Sequence, residues 1–235
     1  MTPKELAEAL EEAFQHARDM DAPLGERLKF IADAVRSLNE SFAEAVDRLV
    51  IRLRQSGAGA SAPRVGDPMP PFVLPDDGGR LVRLGELLGQ GPAAVVFHRG
   101  HWCPYCRINT DALAKVHEDV QAEGGQIIAI MPEGRQFSAS LKAETQASFS
   151  ILTDVDNGYA LSLNLAIWVG EEMRRLIAAA GWDLPGYQGN DAWVLPIPAT
   201  FVVGTDGLIK ARFVDPDYRQ RMAIDELLGA LRNAR

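Results

Sequence analysis

Cysteine is scarce in this chain: two residues in 235, Cys103 and Cys106. So few cysteines exclude a secreted scaffold built on disulfides. Long apolar runs are missing too. No stretch approaches the roughly 20 residues that span a bilayer, so no membrane association is expected. The opening residues, Met1-Thr2-Pro3-Lys4-Glu5-Leu6, are charged and amphipathic and lack the continuous apolar core of a secretion signal. A cytoplasmic location is therefore expected. Positive charge is in deficit, 24 Lys and Arg against 32 Asp and Glu, for a formal net charge of −8. That balance argues against nucleic acid and anionic membranes as partners. Neither a P-loop nor a G-x-G-x-x-G occurs, so no nucleotide is implied and no cofactor is expected. No internal repeat is visible. The length suffices for one or two domains with a sizeable core.

What the chain does have is Trp102-Cys103-Pro104-Tyr105-Cys106. Both cysteines lie here, after the apolar run Ala93 to Phe97 and before a helical pattern from Asn109 to Ala122. Two thiols three positions apart at a strand-to-helix junction can close a small disulfide ring and reopen it. Near a helix N-terminus, free backbone N–H groups and the helix dipole stabilise a thiolate. Cys103 is therefore expected to have the lower pKa and to attack, and Cys106, one turn later, to resolve. In a β-helix-β setting the motif reads as thioredoxin-like redox chemistry. Pro104 stiffens the ring. Tyr105 either packs beside the sulfurs or is a surface aromatic, and Trp102 either shields the thiolate or anchors the core. Arg99, His101 and Arg107 are close enough in sequence to lower a thiolate pKa as a group.

Two metal readings fail. His98, His101, Cys103 and Cys106 offer four zinc ligands within nine residues, too short a segment for them to converge tetrahedrally. Asp154-Val155-Asp156-Asn157-Gly158 has the start of a calcium loop, but Leu165 stands where the closing glutamate belongs.

Residues 1–56 read as a helical arm. Thr2, Pro3 and Glu5 form a capping box, and Asp21 to Gly25 breaks the helix. Leu28, Ile31, Val35, Leu38, Phe42, Ala45 and Leu49 then alternate spacings of three and four, like a coiled-coil seam on a second helix spanning about 26–54. One short hairpin partner cannot cover so long a stripe, so a homodimer through the arm is expected, with the redox site left open. Residues 57–64 are rich in small residues and read as a linker. Residues 65–235 alternate strands and helices: a hairpin at Phe72–Leu84, buried strands at Ala93–Phe97 and Ile127–Ile130, a short strand at Ser150–Leu152, and a hairpin at Ala199–Phe213. A last helix is expected over 219–231. The segment 164–197 is helical near Glu171–Ile177 and irregular from Gly181 to Pro198. The whole predicts a layered α/β domain, a mixed sheet with helices on both faces, preceded by a helical hairpin.

Three segments resemble the alkyl hydroperoxide reductase/thiol-specific antioxidant group, the peroxiredoxin-like branch of the thioredoxin superfamily. They are Val65 to Leu74, Phe97 to Cys106 and Pro198 to Gly207, and the resemblance covers about residues 64–234. It implies a thioredoxin-like fold and a peroxidase that passes through a Cys103–Cys106 disulfide, with a peroxide or disulfide as substrate and thioredoxin or a glutathione-type thiol as reductant. Peroxiredoxins place a threonine three positions before the reactive cysteine and a proline seven before; here these are Gly100 and Val96. Where they carry an arginine three positions before the late-strand phenylalanine, this chain has Pro198. That matches the thioredoxin side, whose cis-proline faces the sulfurs, so a cis Ile197–Pro198 bond is expected. Two alternatives remain: a protein-disulfide oxidoreductase, and a redox-sensing adaptor that works through the arm.

Overall fold

The computed structural model describes residues 3–234, with side chains from Glu8 onward. Three helices open it: α1 (Pro3–Asp19), α2 (Leu24–Leu38) and α3 (Glu40–Gln55). The capping box of Thr2 and Glu5 lies outside the described side chains. The chain breaks between α1 and α2 ahead of Pro23, as expected. The single long second helix does not form. Asn39 ends α2, and its side-chain oxygen accepts the Phe42 N–H at 3.0 Å, which starts α3. Asparagine competes with helical backbone and favours the cap position. The three-four apolar spacing thus continues through a corner that divides it in space.

The small-residue stretch after α3 is packed rather than free. Arg212 Nη1 donates to the Ala62 and Pro63 carbonyls at 3.1 and 3.0 Å. A Cβ on Gly59, which has φ +78°, would stand 3.0 Å from Val214, so only glycine fits there.

Next come β1 (Val73–Pro75) and β2 (Leu81–Arg83), the expected antiparallel hairpin, and then α4 (Leu84–Leu88). The central sheet and its crossovers follow as β3 (Ala93–Phe97), α5 (Pro104–Ala122), β4 (Gln126–Met131), α6 (Arg135–Thr145) and β5 (Ser150–Thr153). After α7 (Gly158–Ser162) come β6 (Ala166–Trp168) and the expected helix, α8 (Glu171–Ala179), and the stretch expected to be irregular holds α9 (Leu184–Gln188) and β7 (Val194–Pro196). β6 and β7 pair antiparallel across that distance. A ribbon whose strands lie so far apart leaves no short-range turn signal. The chain ends with β8 (Ala199–Val203), β9 (Ile209–Val214) and α10 (Ile224–Arg232).

The sheet order is β5-β4-β3-β8-β9. β3, β4 and β5 run parallel, while β8 is antiparallel to both β3 and β9. This is the predicted layered α/β architecture. Side chains alternate between two cores. Val95, Phe97, Ile128, Ile130 and Phe201 pack toward the β1–β2 hairpin and α7. Ala94, Val96, Ile127, Ala129 and Val202 pack toward α5, α6 and α10. Ile197–Pro198 is trans, contrary to expectation: all peptide bonds among the described residues are trans.

A third core joins the arm to the redox domain. Phe14, Leu28, Ile31, Val46 and Leu49 pack with Trp102, Cys103, Tyr105, Ile108 and Ile177. The chain's own domain therefore covers Leu28, Ile31, Ala45 and Leu49 of the apolar stripe, while Val35, Leu38 and Phe42 stay half-buried. Covering each large side chain contributes roughly 1.5–3 kcal/mol. Beneath it Arg27 and Asp111 form a buried ion pair at 2.6 Å, their side chains 5% and 9% exposed. Asp111→Ala should destabilise the protein by about 3–5 kcal/mol, because Arg27 is left buried and unpaired. The exposed Lys29–Asp33 pair is a control: Asp33→Ala should change stability by no more than about 0.5 kcal/mol. Urea unfolding of the two variants measures the difference.

Candidate active site

The strand-to-helix junction between β3 and α5 holds both cysteines. Cys103 is the N-cap of α5, Pro104 fills the first helical position, and Cys106 lies one turn in. Behind them His98, at the end of β3, locks strand to helix. Burial pulls its pKa down to about 4, so the ring is neutral. It accepts from Asn109 Nδ2 at 3.1 Å, and its Nδ1–H faces Thr110 Oγ1 at 3.3 Å. The Thr110 hydroxyl donates in turn to the Cys106 carbonyl at 2.9 Å.

Both thiols are free and both are 0% exposed. The expected open site is a closed one, because the arm lies over it. Charge distribution within the pair is also the reverse of the helix-terminus expectation. Burial raises the Cys103 pKa, and its hydrogen bond to Cys106 raises it further, although Arg99 pulls the other way. Burial pushes Cys106 up too, but the Cys103 thiol, Arg221, His98 and the Arg99 N–H together hold it well below the ordinary thiol range. The Arg99 N–H and Arg221 Nη2 each reach the Cys106 sulfur at 3.3 Å. The Arg99 guanidinium is farther from Cys103, at 3.9 Å. These surroundings favour a negative charge on Cys106 over one on Cys103.

The surrounding residues divide sharply. Arg99 is buried, its guanidinium 3.7 Å from the centre of the Tyr218 ring and 4.9 Å from Trp102. Tyr105 meets Tyr218 edge-on at 5.5 Å. A pocket of about 30 Å3 ends at Cys103, with Trp102, Pro104, Tyr105, Arg99, Phe42 and Tyr218 among its walls. A wider chamber of about 220 Å3 shares Val35, Phe42, Trp102, Pro104 and Trp182 with it and extends to Leu10 on α1. Of the other expected residues, only Arg107 reaches these spaces, at the wall of the wider chamber. His101 turns away to Glu133, and Arg107 pairs with Glu11 at 2.9 Å and with Glu144. Pro198 does not line the pocket at Cys103.

Arg221 and Tyr218 are the residues the sequence reading missed. It placed residue 219 onward in the last helix, which begins instead at Ile224. Asp215 accepts the Asp217 N–H at 2.8 Å and Asp217 accepts the Arg219 N–H at 3.1 Å. Such side-chain bonds to nearby backbone hold a loop against helix formation. The Tyr218 and Gln220 carbonyls then hold Arg221 Nη1 at 2.6 and 2.7 Å. The Asp-Pro-Asp run at 215–217 was the available signal.

A mixed five-strand sheet with C-x-x-C where its central strand turns into a helix is the layout of the thioredoxin superfamily. More narrowly, the chain belongs to the AhpC/TSA family, whose model matches residues 65–212. It is 27% identical over 150 residues to the thiol:disulfide interchange protein DsbE of Pseudomonas aeruginosa, covering 64% of this chain and 66% of that protein. The chain thus spans just under two thirds of that relative. Among solved structures it is similar to peroxidoxin BcpB from Mycobacterium tuberculosis (20% identity, TM-score 0.56, 74% of this chain and 99% of that one). It is also similar to a peroxiredoxin 6 of Arenicola marina (16% identity, TM-score 0.55, 70% of each chain). At these identities the solved structures establish the fold. The arm lies outside the matched residues.

Arg221→Met removes a cation from the Cys106 sulfur without removing bulk. Less favourable surroundings for the thiolate mean that it forms only at higher pH. Thiolate ultraviolet absorbance, titrated in the reduced protein, should rise at a pH roughly 1–3 units higher than in the wild type.

Proposed function

We propose that this protein is a thiol peroxidase for small hydroperoxides, working through Cys103 and a Cys103–Cys106 disulfide. The observation that carries this reading is the complete burial of both sulfurs behind the arm, at the end of a pocket of about 30 Å3. That space holds on the order of two water molecules. A peroxide group fits it; the disulfide of a folded protein does not while the arm is in place.

Cys103 attacks because it is the sulfur that lines the pocket. Its proton shifts to Cys106, so the thiolate forms at Cys103 as the peroxide arrives. The Cys103 sulfur bonds to the near oxygen, the O–O bond breaks, and the far oxygen leaves with the electron pair, giving Cys103 sulfenic acid. Cys106 then attacks that sulfur. The hydroxyl leaves with the Cys106 proton as water, and the disulfide closes. A thiol reductant, of the glutathione or thioredoxin type, reopens it. Neither a glutathione-type thiol nor a protein fits whole into a space of about 30 Å3, so reduction of the disulfide requires the arm to move.

A second reading, thiol–disulfide interchange, has the Cys-Pro-Tyr-Cys ring and the DsbE relative in its favour. Stopped-flow oxidation of the reduced protein, followed by Trp fluorescence, separates the two. Hydrogen peroxide and tert-butyl hydroperoxide should oxidise it rapidly and a model disulfide slowly. Cys103→Ser should abolish the reaction. Cys106→Ser should stop at a sulfenic acid that dimedone traps. Rapid exchange with the disulfide and inertness to both peroxides would replace the peroxidase reading with interchange.

A further inference from the structure

A buried carboxylate fills the space beside Gly100. Glu133, just after β4, is 0% exposed. Its Oε2 accepts the His101 backbone N–H at 2.7 Å, and both carboxylate oxygens are 3.0 Å from His101 Nδ1. A Cβ at position 100 would stand 2.6 Å from Glu133 Oε1 and 2.6 Å from Trp102 Nε1. Gly100 is therefore obligatory, and the carboxyl group and the indole N–H flank one small space. Trp102 Nε1 is buried and donates to nothing among the described residues. A buried unmatched N–H costs about 1–3 kcal/mol and marks a seat for an oxygen acceptor. Trp102 also lines the pocket at Cys103. At the far end the His101 side chain is 23% exposed, held between Phe137 of α6 at 4.7 Å and Tyr187 of α9 at 4.8 Å. Trp102 at the pocket wall, the Glu133 carboxyl group and the partly exposed His101 ring thus follow one another in a line toward solvent.

The peroxidase step requires such a line. One proton must enter for each peroxide reduced, because the departing oxygen leaves as an anion while the only thiol proton goes out later as water. The arginines at the sulfurs do not release protons. His98 is neutral and committed to Asn109 and Thr110, and burial pushes Tyr218 up to about 12.

We propose that His101 and Glu133 form the proton relay of this site, with Trp102 Nε1 seating the water that delivers the proton. As the Cys103 S–O bond forms and the O–O bond breaks, the departing oxygen takes a proton from that water. The water takes one from the His101–Glu133 pair, and solvent reprotonates the pair through His101. On reduction of the disulfide by a dithiol one proton is released, and it leaves by the same route. Burial raises the Glu133 pKa against the pull of His101, which suits a carboxyl group that holds a proton. The charged and titratable groups facing the pair are the Cys106 sulfur from α5 and Tyr187 from α9.

The relay rests on the peroxidase reading, and leaving-group chemistry tests it separately. Hydrogen peroxide and tert-butyl hydroperoxide expel strongly basic oxygens that need a proton; peracetic acid expels acetate, which does not. Glu133→Gln, shown folded by circular dichroism and by cooperative urea unfolding, should lose roughly 100-fold or more with the first two. With peracetic acid it should stay within about 2-fold of the wild type, since general acid catalysis has nothing to contribute there. The wild-type rate with hydrogen peroxide should fall as pH rises through the raised titration of Glu133, and the variant should lack that limb. Equal losses with all three oxidants, or no loss with any, would overturn the relay. A wild-type protein inert to all three would instead refute the peroxidase reading.

Discussion

A sulfur that forms a thiolate in a place water does not reach must find its counter-charges in the protein, and much of the molecule follows from that. An isolated ion in the interior is expensive, so it is either neutralised or paired. Here it is paired, by Arg221 at 3.3 Å and the Arg99 N–H at the same distance. Buried guanidinium groups bring the same difficulty with them. Arg99 meets it by stacking over Tyr218 and Trp102, and Arg221 by donating to two backbone carbonyls. Those carbonyls are available because residues 217–223 stay out of the helix. Two aspartates that cap a loop are thus part of the reason a thiolate survives inside the protein.

The arm completes that environment. Without it the pocket would lose Val35, Phe42, Ala43 and Val46, and the sulfurs would face solvent. Water would then screen the arginines and weaken their hold on Cys106. Most of the ion pairs that tie the arm down, such as Arg48–Glu172 and Arg54–Asp215, are exposed and contribute little. The attachment rests on the shared apolar core and on Arg27–Asp111. Such a lid is cheap to loosen at its rim and costly to remove.

The parts legible in the sequence were those that depend on neighbours in sequence. The buried strands Ala93–Phe97 and Gln126–Met131, the hairpins and the C-x-x-C junction all announce themselves within a dozen residues. What escaped depends on contacts that the chain makes over long separations. Arg221 reaches Cys106 from 115 positions away and Glu133 reaches His101 from 32. Neither distance leaves a pattern. Asn39 was readable as a cap but stood inside a spacing that looked unbroken, and the apolar count outweighed it. Gly100 was seen only as a missing threonine. Its cause, the Glu133 carboxyl group and the Trp102 indole on either side, exists only in three dimensions.

The reversed charge in the cysteine pair also makes chemical sense. Nucleophilicity falls with pKa, so the most acidic sulfur of a pair is not the strongest attacker. Favouring the charge on Cys106 leaves Cys103 the more basic and more reactive sulfur once its proton moves. That proton has a short path, because the two thiols are already hydrogen-bonded. Cys106 is also easily oxidised into the ring, since its thiol gives up its proton readily as water departs. In an exposed C-x-x-C motif, helix position alone makes the first cysteine the acidic one. Burial removes the solvent from that comparison, and the local cations decide instead. The same two residues thus divide attack and charge storage between them.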